Sequence, residues 1–103
     1  MEKHIETMVE EVRSGEAQLF DVREQDEWDA GHLDLSVLVP LSGLKNGAEP
    51  QFDKSKKTYL HCRSGNRVWK AKPLLESMGF SSVIALNEGF KDLAKSGVKT
   101  ADS

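Results

Sequence analysis

The chain has 103 residues, 38% of them apolar and 30% charged, enough for one compact core and too apolar for a disordered polymer. Its one cysteine excludes an internal disulfide framework and any multi-cysteine zinc site. A net charge of −3 argues against general nucleic-acid binding, and no run of eighteen apolar residues is present to cross a membrane as a helix.

Along the chain, Ile5, Met8, Val9 and Val12 fall at the i, i+3, i+4, i+7 spacing of an amphipathic helix, with Gly15 as its stop. The five glutamates of residues 1–17 and the lack of an apolar run there predict no signal peptide. Leu19-Phe20-Asp21-Val22 reads as a strand, Glu24 to Ala30 as a short acidic helix closed by Gly31, and Val37-Leu38-Val39 as a second strand. Pro40, which has no N–H for a ladder, ends that strand. Residues 42–57, rich in Ser, Gly, Asn, Pro and Lys, read as a surface loop. Thr58-Tyr59-Leu60-His61 is a third strand and runs directly into Cys62-Arg63-Ser64-Gly65-Asn66-Arg67. Val68, Ala71, Leu74, Leu75 and Met78 mark a helix face ended by Gly79, and Pro73 inside it predicts a kink. Ser82 to Leu86 is a fourth strand, and Phe90, Leu93 and Ala94 mark a last short helix. Short apolar strands alternating with helices predict an α/β fold with a mostly parallel sheet covered on both faces. Ligands of such sheets gather at the carboxyl ends of strands. Cys62 stands at such an end.

The charge is polarised. Residues 1–34 hold 11 acids against Lys3, Arg13 and Arg23, whereas residues 54–72 hold seven basic residues and no acid. Cys62 lies inside that basic block. A strand, a six-residue polar loop and a helix follow one another here, so unpaired amides at the helix start and in the glycine turn face into the loop. With Arg63 and Arg67 nearby, they favour negative charge at its mouth, which suits a reactive nucleophile that also holds an anion. A buried cysteine acting as a small hydrophobe is the alternative, made awkward by the flanking His61 and Arg63. Spacing separates two chemistries. Cysteine-dependent protein phosphatases place five residues between Cys and Arg, whereas four intervene between Cys62 and Arg67. The shorter loop makes a cup too tight for a phosphoryl group but wide enough for one extra sulfur on Cys62.

Two motifs together resemble the rhodanese-like sulfurtransferases. One is Asp21-Val22-Arg23-Glu24 with Glu27-Trp28, Gly31-His32-Leu33 and Pro40-Leu41; the other is Cys62 to Arg67 with Met78-Gly79-Phe80 behind it. Leu86 and Gly89 form a weaker third match, and the whole covers about residues 5–96. Leu35, Ser36, Leu38, Glu88 and Leu93 depart from the family pattern at turn and packing positions, and Pro73 is unusual there. The resemblance implies a three-layer rhodanese-like fold with a central sheet of four to five strands, and one domain over residues 1–103. It implies that Cys62 takes a sulfur from thiosulfate or a similar donor as a persulfide and passes it to cyanide, a thiol or a protein thiol. Arg63, Ser64, Gly65, Asn66 and Arg67 would bind the substrate. Arg67 has a second reading, in which it holds the loop through carboxylates or carbonyls. The alternative function is a catalytically weak binding or regulatory module.

Adjacent strand residues point to opposite faces, so His61 is expected to support the sheet through a hydrogen bond rather than act as a base for Cys62. His32 is expected to be a structural hydrogen-bonder, Asp21 and Arg23 an ion pair or loop anchor, and Trp28 and Trp69 packing residues. Lys54, Lys56, Lys57, Lys70 and Lys72 would steer anionic donors through their long-range field. No cofactor and no metal are expected. Partners are expected to be small molecules or protein thiols, with no nucleic acid and no membrane. A monomer in the cytoplasm is expected, or in the periplasm if an export signal has been trimmed.

Overall fold

In the computed structural model, which describes residues 1–102, eleven elements alternate along the chain. They are α1 (Lys3–Ser14), β1 (Ala17–Asp21), α2 (Gln25–Asp29), β2 (His32–Leu33), β3 (Ser36–Leu38), α3 (Leu41–Lys45), β4 (Lys57–His61), α4 (Arg67–Ser77), β5 (Val83–Ala85), α5 (Phe90–Lys95) and β6 (Thr100–Ala101). Four strands form a wholly parallel sheet in the order β3-β1-β4-β5. The register sets Phe20 beside Leu60 and Asp21 beside both His61 and Leu38.

Strand alternation assigns each side chain to a layer. Phe20 and Val22 of the first strand segment, with Leu60 and Cys62, pack under α3 and α4 against Leu41, Leu44, Val68, Ala71 and Leu75. Leu19 and Tyr59 face the other way, toward Ile5, Met8 and Val9 of α1 and Leu93 of α5. Two apolar clusters on opposite faces of one sheet are the three layers of the fold. Burying Ile5 and Met8 contributes about 1.5–3 kcal/mol each, the energy that pins α1 to the sheet.

The expected α/β architecture holds, with four strands in the parallel sheet. Strand pairing also runs past the assigned ends, since Val39 N–H donates to Asp21 O at 2.9 Å and Leu86 N–H to Leu60 O at 2.9 Å. The stretch expected to be loop from residue 42 opens instead inside α3. Leu41 and Leu44, an i, i+3 pair, are both buried, and this burial outweighs the turn-forming Ser and Gly between them. The antiparallel pair β2–β6, with His32 opposite Ala101, has no local signal because each strand is two residues long. Helix α4 continues through Pro73, which sits on its exposed side, to Ser77.

Candidate active site

Strand β4 delivers Cys62 to the carboxyl edge of the sheet, one residue beyond its last paired position. Two backbone bonds hold that point. Val22 N–H donates to His61 O at 3.0 Å, and Phe90 N–H, at the start of α5, donates to Cys62 O at 2.9 Å. The chain then turns through residues 63–66 and enters α4, whose N-cap Asn66 makes no side-chain cap bond. The first amides of α4 have no carbonyl ahead of them and add positive potential to the turn.

Cys62 is 1% exposed, and its sulfur accepts a hydrogen bond from Gly65 N–H at 3.2 Å. Gly65 supplies that amide from the left-handed region, at φ +85°, where side chains are strained. A Cβ there would also meet the Asn87 carbonyl oxygen at 2.8 Å. Arg63, Ser64 and Asn66 are exposed around the opening. Of the loop residues singled out from the sequence, these stand at the rim, and Gly65 points its amide at the sulfur.

Arg67 is committed elsewhere. Its guanidinium forks onto Glu27 of α2, with Nη1 to Oε1 at 2.6 Å and Nη2 to Oε2 at 2.8 Å. Glu27 Oε1 also accepts the Glu24 backbone N–H at 3.0 Å, so one carboxylate caps α2 and braces the far end of the cup. The hydrogen bonds from Arg67 hold the Glu27 carboxyl down at about 2. This pairing spans 40 residues and has no sequence signal beyond the presence of both residues in the two motifs.

A depressed carboxyl stabilises the fold above its unfolded value, near 4.5, and that stabilisation is lost as pH falls through about 2. Glu27→Gln should therefore lower stability by about 1–2 kcal/mol at neutral pH, discounted for the partial exposure of the pair. Denaturant titrations of both proteins should show that gap constant above pH 5 and closing between about 4.5 and 2. A gap independent of pH over that range would remove the carboxylate from its bracing role.

Behind the cup, Arg23 forks onto Asp21, with Nη2 to Oδ2 at 2.9 Å, and donates to Gly31 O at 2.8 Å. This ion pair matches the expected anchor, and both residues are buried. His61 differs from expectation. It is fully buried, neither ring nitrogen has a hydrogen-bond partner among the described residues, and the Asp21 carboxylate is 3.7 Å away. Burial pushes its pKa down to about 4, with Asp21 opposing the shift. His32 Nδ1 contacts Trp28 O at 3.1 Å and its ring stacks on Trp28 at 3.6 Å, a structural role. Trp69 is 54% exposed on α4 rather than packed.

The charge geometry also corrects the steering argument. Lys57 pairs with Glu11 at 2.7 Å, and Lys54 pairs with Glu49. Lys57 opens β4, about 16 Å of strand from Cys62 at ~3.3 Å per residue, and Lys54 and Lys56 precede it in the chain. Lys72 lies near the Trp69 ring. The cations beside the cup are Arg63 and Lys91, which rim a cleft of about 230 Å³ walled by Arg23, Glu27, Gly31 and Phe90. A second cleft, of about 160 Å³ between Leu38, Leu44 and Phe52, lies away from the cysteine. Glu2, His4 and Glu88 come together on the surface. There the two ring nitrogens of His4 face different carboxylates, at 3.4 and 2.9 Å, a hydrogen-bonded bridge rather than a chelate.

The site thus belongs to α/β proteins that set one cysteine in an amide-lined turn between a parallel strand and a helix. The rhodanese-like domain family matches residues 5–96, and the chain belongs to that family. It is 37% identical over 84 residues to the protein named uncharacterized protein YqhL of Bacillus subtilis, covering 80% of this chain and 66% of that one. It is 32% identical over 78 residues to the probable adenylyltransferase/sulfurtransferase MoeZ of Mycobacterium tuberculosis, covering 75% of this chain and 20% of that one. The chain therefore spans between a fifth and two thirds of these relatives. Its fold superposes on the human single-domain sulfurtransferase TSTD1 with a TM-score of 0.75 at 20% identity, over 87% of this chain and 91% of that one.

Proposed function

We propose that the chain is a one-domain sulfurtransferase that carries a sulfane sulfur as a Cys62 persulfide. One observation carries the reading: Cys62 lies buried at the start of a turn with only four residues between it and Arg67, and the Gly65 amide donates to its sulfur. The Cys62 thiolate attacks the outer sulfur of thiosulfate, the S–S bond of the donor breaks with its electron pair, and sulfite leaves. Amides of the turn hold the terminal sulfur of the persulfide, as they would any anion in a nest. Arg63 draws the dianion to the opening, and Arg67 keeps the cup in shape through Glu27. A nucleophilic acceptor, cyanide or a thiol, then takes the outer sulfur and releases the Cys62 thiolate. The sulfurtransferase names of MoeZ and TSTD1 support the same class of chemistry.

The test is intact-mass spectrometry after incubation with thiosulfate, followed by cyanide. The expected result is a gain of one sulfur atom, release of sulfite, and return to the starting mass with thiocyanate formed. Absence of both the adduct and thiocyanate would overturn the reading and leave a binding module.

A further inference from the structure

Helix α4 leaves one face without a tertiary partner. At about 100° per residue, Val68, Ala71 and Leu75 turn into the core, and Trp69 and Pro73, four residues apart, share the opposite side. Trp69 is 54% exposed, and Pro73 is exposed beside it. Neither residue serves the helix. An exposed tryptophan gains nothing from the core, and Pro73 has no N–H, so the Trp69 carbonyl lacks the donor that an α-helix supplies from four residues on. An apolar ring and an open backbone acceptor therefore lie together on the outer face of α4. Lys70 and Lys72 flank them. Lys72 Nζ stands 5.9 Å from the Trp69 ring centroid, and neither lysine has a carboxylate within ion-pair distance among the described residues. The chain carries no acid between Asp53 and Glu76.

Three features select the partner. The uncompensated lysines call for carboxylates, the Trp69 ring for an apolar side chain between them, and the open carbonyl for an N–H donor. An acidic stretch of polypeptide offers all three. A membrane surface fits less well, because an interfacial helix needs a broad apolar face and only Trp69 and Pro73 are exposed apolar residues of α4. A nucleic acid fits less well because the chain carries −3 overall. Aromatic anchors of this kind are enriched at the centres of protein interfaces. We propose that the outer face of α4 is a docking surface for an acidic protein segment, anchored on Trp69 and oriented by Lys70 and Lys72. The first turn of α4 rises directly from the cysteine turn, and Trp69 stands about 4.5 Å along the helix axis from Asn66 at ~1.5 Å per residue. A partner docked there is held next to the rim of that turn. The surface acts by binding alone and does not depend on the persulfide chemistry proposed above.

The experiment titrates the isotope-labelled chain and reads the amides of residues 68–72 and the Trp69 indole N–H by NMR. The probes are an acetylated peptide of four Asp-Leu-Glu repeats, its Lys-Leu-Lys counterpart, a single-stranded oligonucleotide of the acidic peptide's charge, and phosphatidylglycerol vesicles. The acidic peptide should give a saturable shift at these residues, at least about fivefold tighter than any other probe and weaker at high salt. Trp69→Ala and Lys70→Glu should each lower its affinity about fivefold. Pro73→Ala gives the Trp69 carbonyl its helix donor back, so it should raise Tm and yet weaken binding about threefold. Lys95→Glu, an equal charge change at the exposed end of α5 across the sheet, should stay within twofold of wild type. The amide spectrum of each variant checks that it is folded. No shift with the acidic peptide, equal binding of the oligonucleotide or the vesicles, or unchanged affinity in any of the first three variants would overturn the inference. An equal loss in Lys95→Glu would do the same. A wild type that forms no persulfide would instead overturn the proposed function and leave these affinities to decide the docking surface.

Discussion

Cys62→Ser should keep the fold and abolish sulfur transfer, with thiosulfate:cyanide turnover falling at least about 10³-fold. The two effects separate because the side chain does two things. Structurally it is a small buried group under α4, beside Val22, Leu60 and Val68, and it accepts one backbone N–H from Gly65. A serine oxygen fills nearly the same space and accepts the same bond, so the loss of stability should stay within about 1–2 kcal/mol. Chemically, serine at this position is neither a comparable nucleophile toward sulfur nor able to hold a persulfide. Turnover and thermal unfolding measured on the same preparation check both halves. Residual transfer above about one per cent of wild type, in a folded variant, would place the sulfur-carrying atom elsewhere.

Gly89→Ala should have the largest effect of any single added methyl group. A Cβ at residue 89 would lie 2.0 Å from the Arg63 carbonyl oxygen, 2.7 Å from its carbon and 3.2 Å from Ser64 Cα. All three are backbone atoms of the cup, so no rotamer change relieves the contact. The dihedral is not the obstacle, because Gly89 sits at φ −85°, where alanine is comfortable. The penalty is therefore steric, and it falls on the loop that aims the Gly65 amide and on the Phe90 bond to Cys62. Forced backbone displacement should cost about 3 kcal/mol, a fall in Tm of roughly 12–24 °C for a domain of this size. Transfer should fall further than stability alone accounts for, because the cup is the part displaced. Gly43→Ala is the control. Its Cβ would meet only the Ala48 side chain, at 3.6 Å, and its Tm should stay within a few degrees. Scanning calorimetry of the two variants, with turnover at a temperature where both are folded, decides the matter. Equal Tm values would remove the close approach of Gly89 from the account.

Much of the architecture was legible because its signals are local. The i, i+3, i+4 pattern of Ile5, Met8 and Val9 needs only a helix with one buried side, and α1 has that side on the sheet. Short apolar runs separated by helices needed a doubly covered parallel sheet, and the register of β1 with β4 supplies it. Where local preference misled, burial was the competing term. Leu41 and Leu44 drew a Ser-Gly stretch into α3, while Trp69, a large apolar side chain on a helix, stayed exposed. Strand position predicts His61 as a hydrogen-bonded support, yet it is buried beside the Asp21–Arg23 pair with no hydrogen bond to its ring nitrogens among the described residues.

From residue order alone came the helix-strand alternation, the family pattern, the position of Cys62 at a strand end and the four-residue spacing to Arg67. These are consequences of neighbouring residues and of periodicity, which one chain carries without being folded. The basic block around Cys62, read as a unit, did not survive as one. A strand about 16 Å long separates Lys57 from the cysteine, and Glu11 and Glu49 neutralise Lys57 and Lys54. Tertiary structure alone decided that Arg67 braces against Glu27, that Gly89 presses on Arg63, and that Lys91 and Arg63 line one cleft. Each of these joins residues distant in the chain. Screening and distance make charge a property of places in space, so the net charge of −3 and the basic run constrain the site less than the Arg67–Glu27 fork and the Gly65 amide at its sulfur.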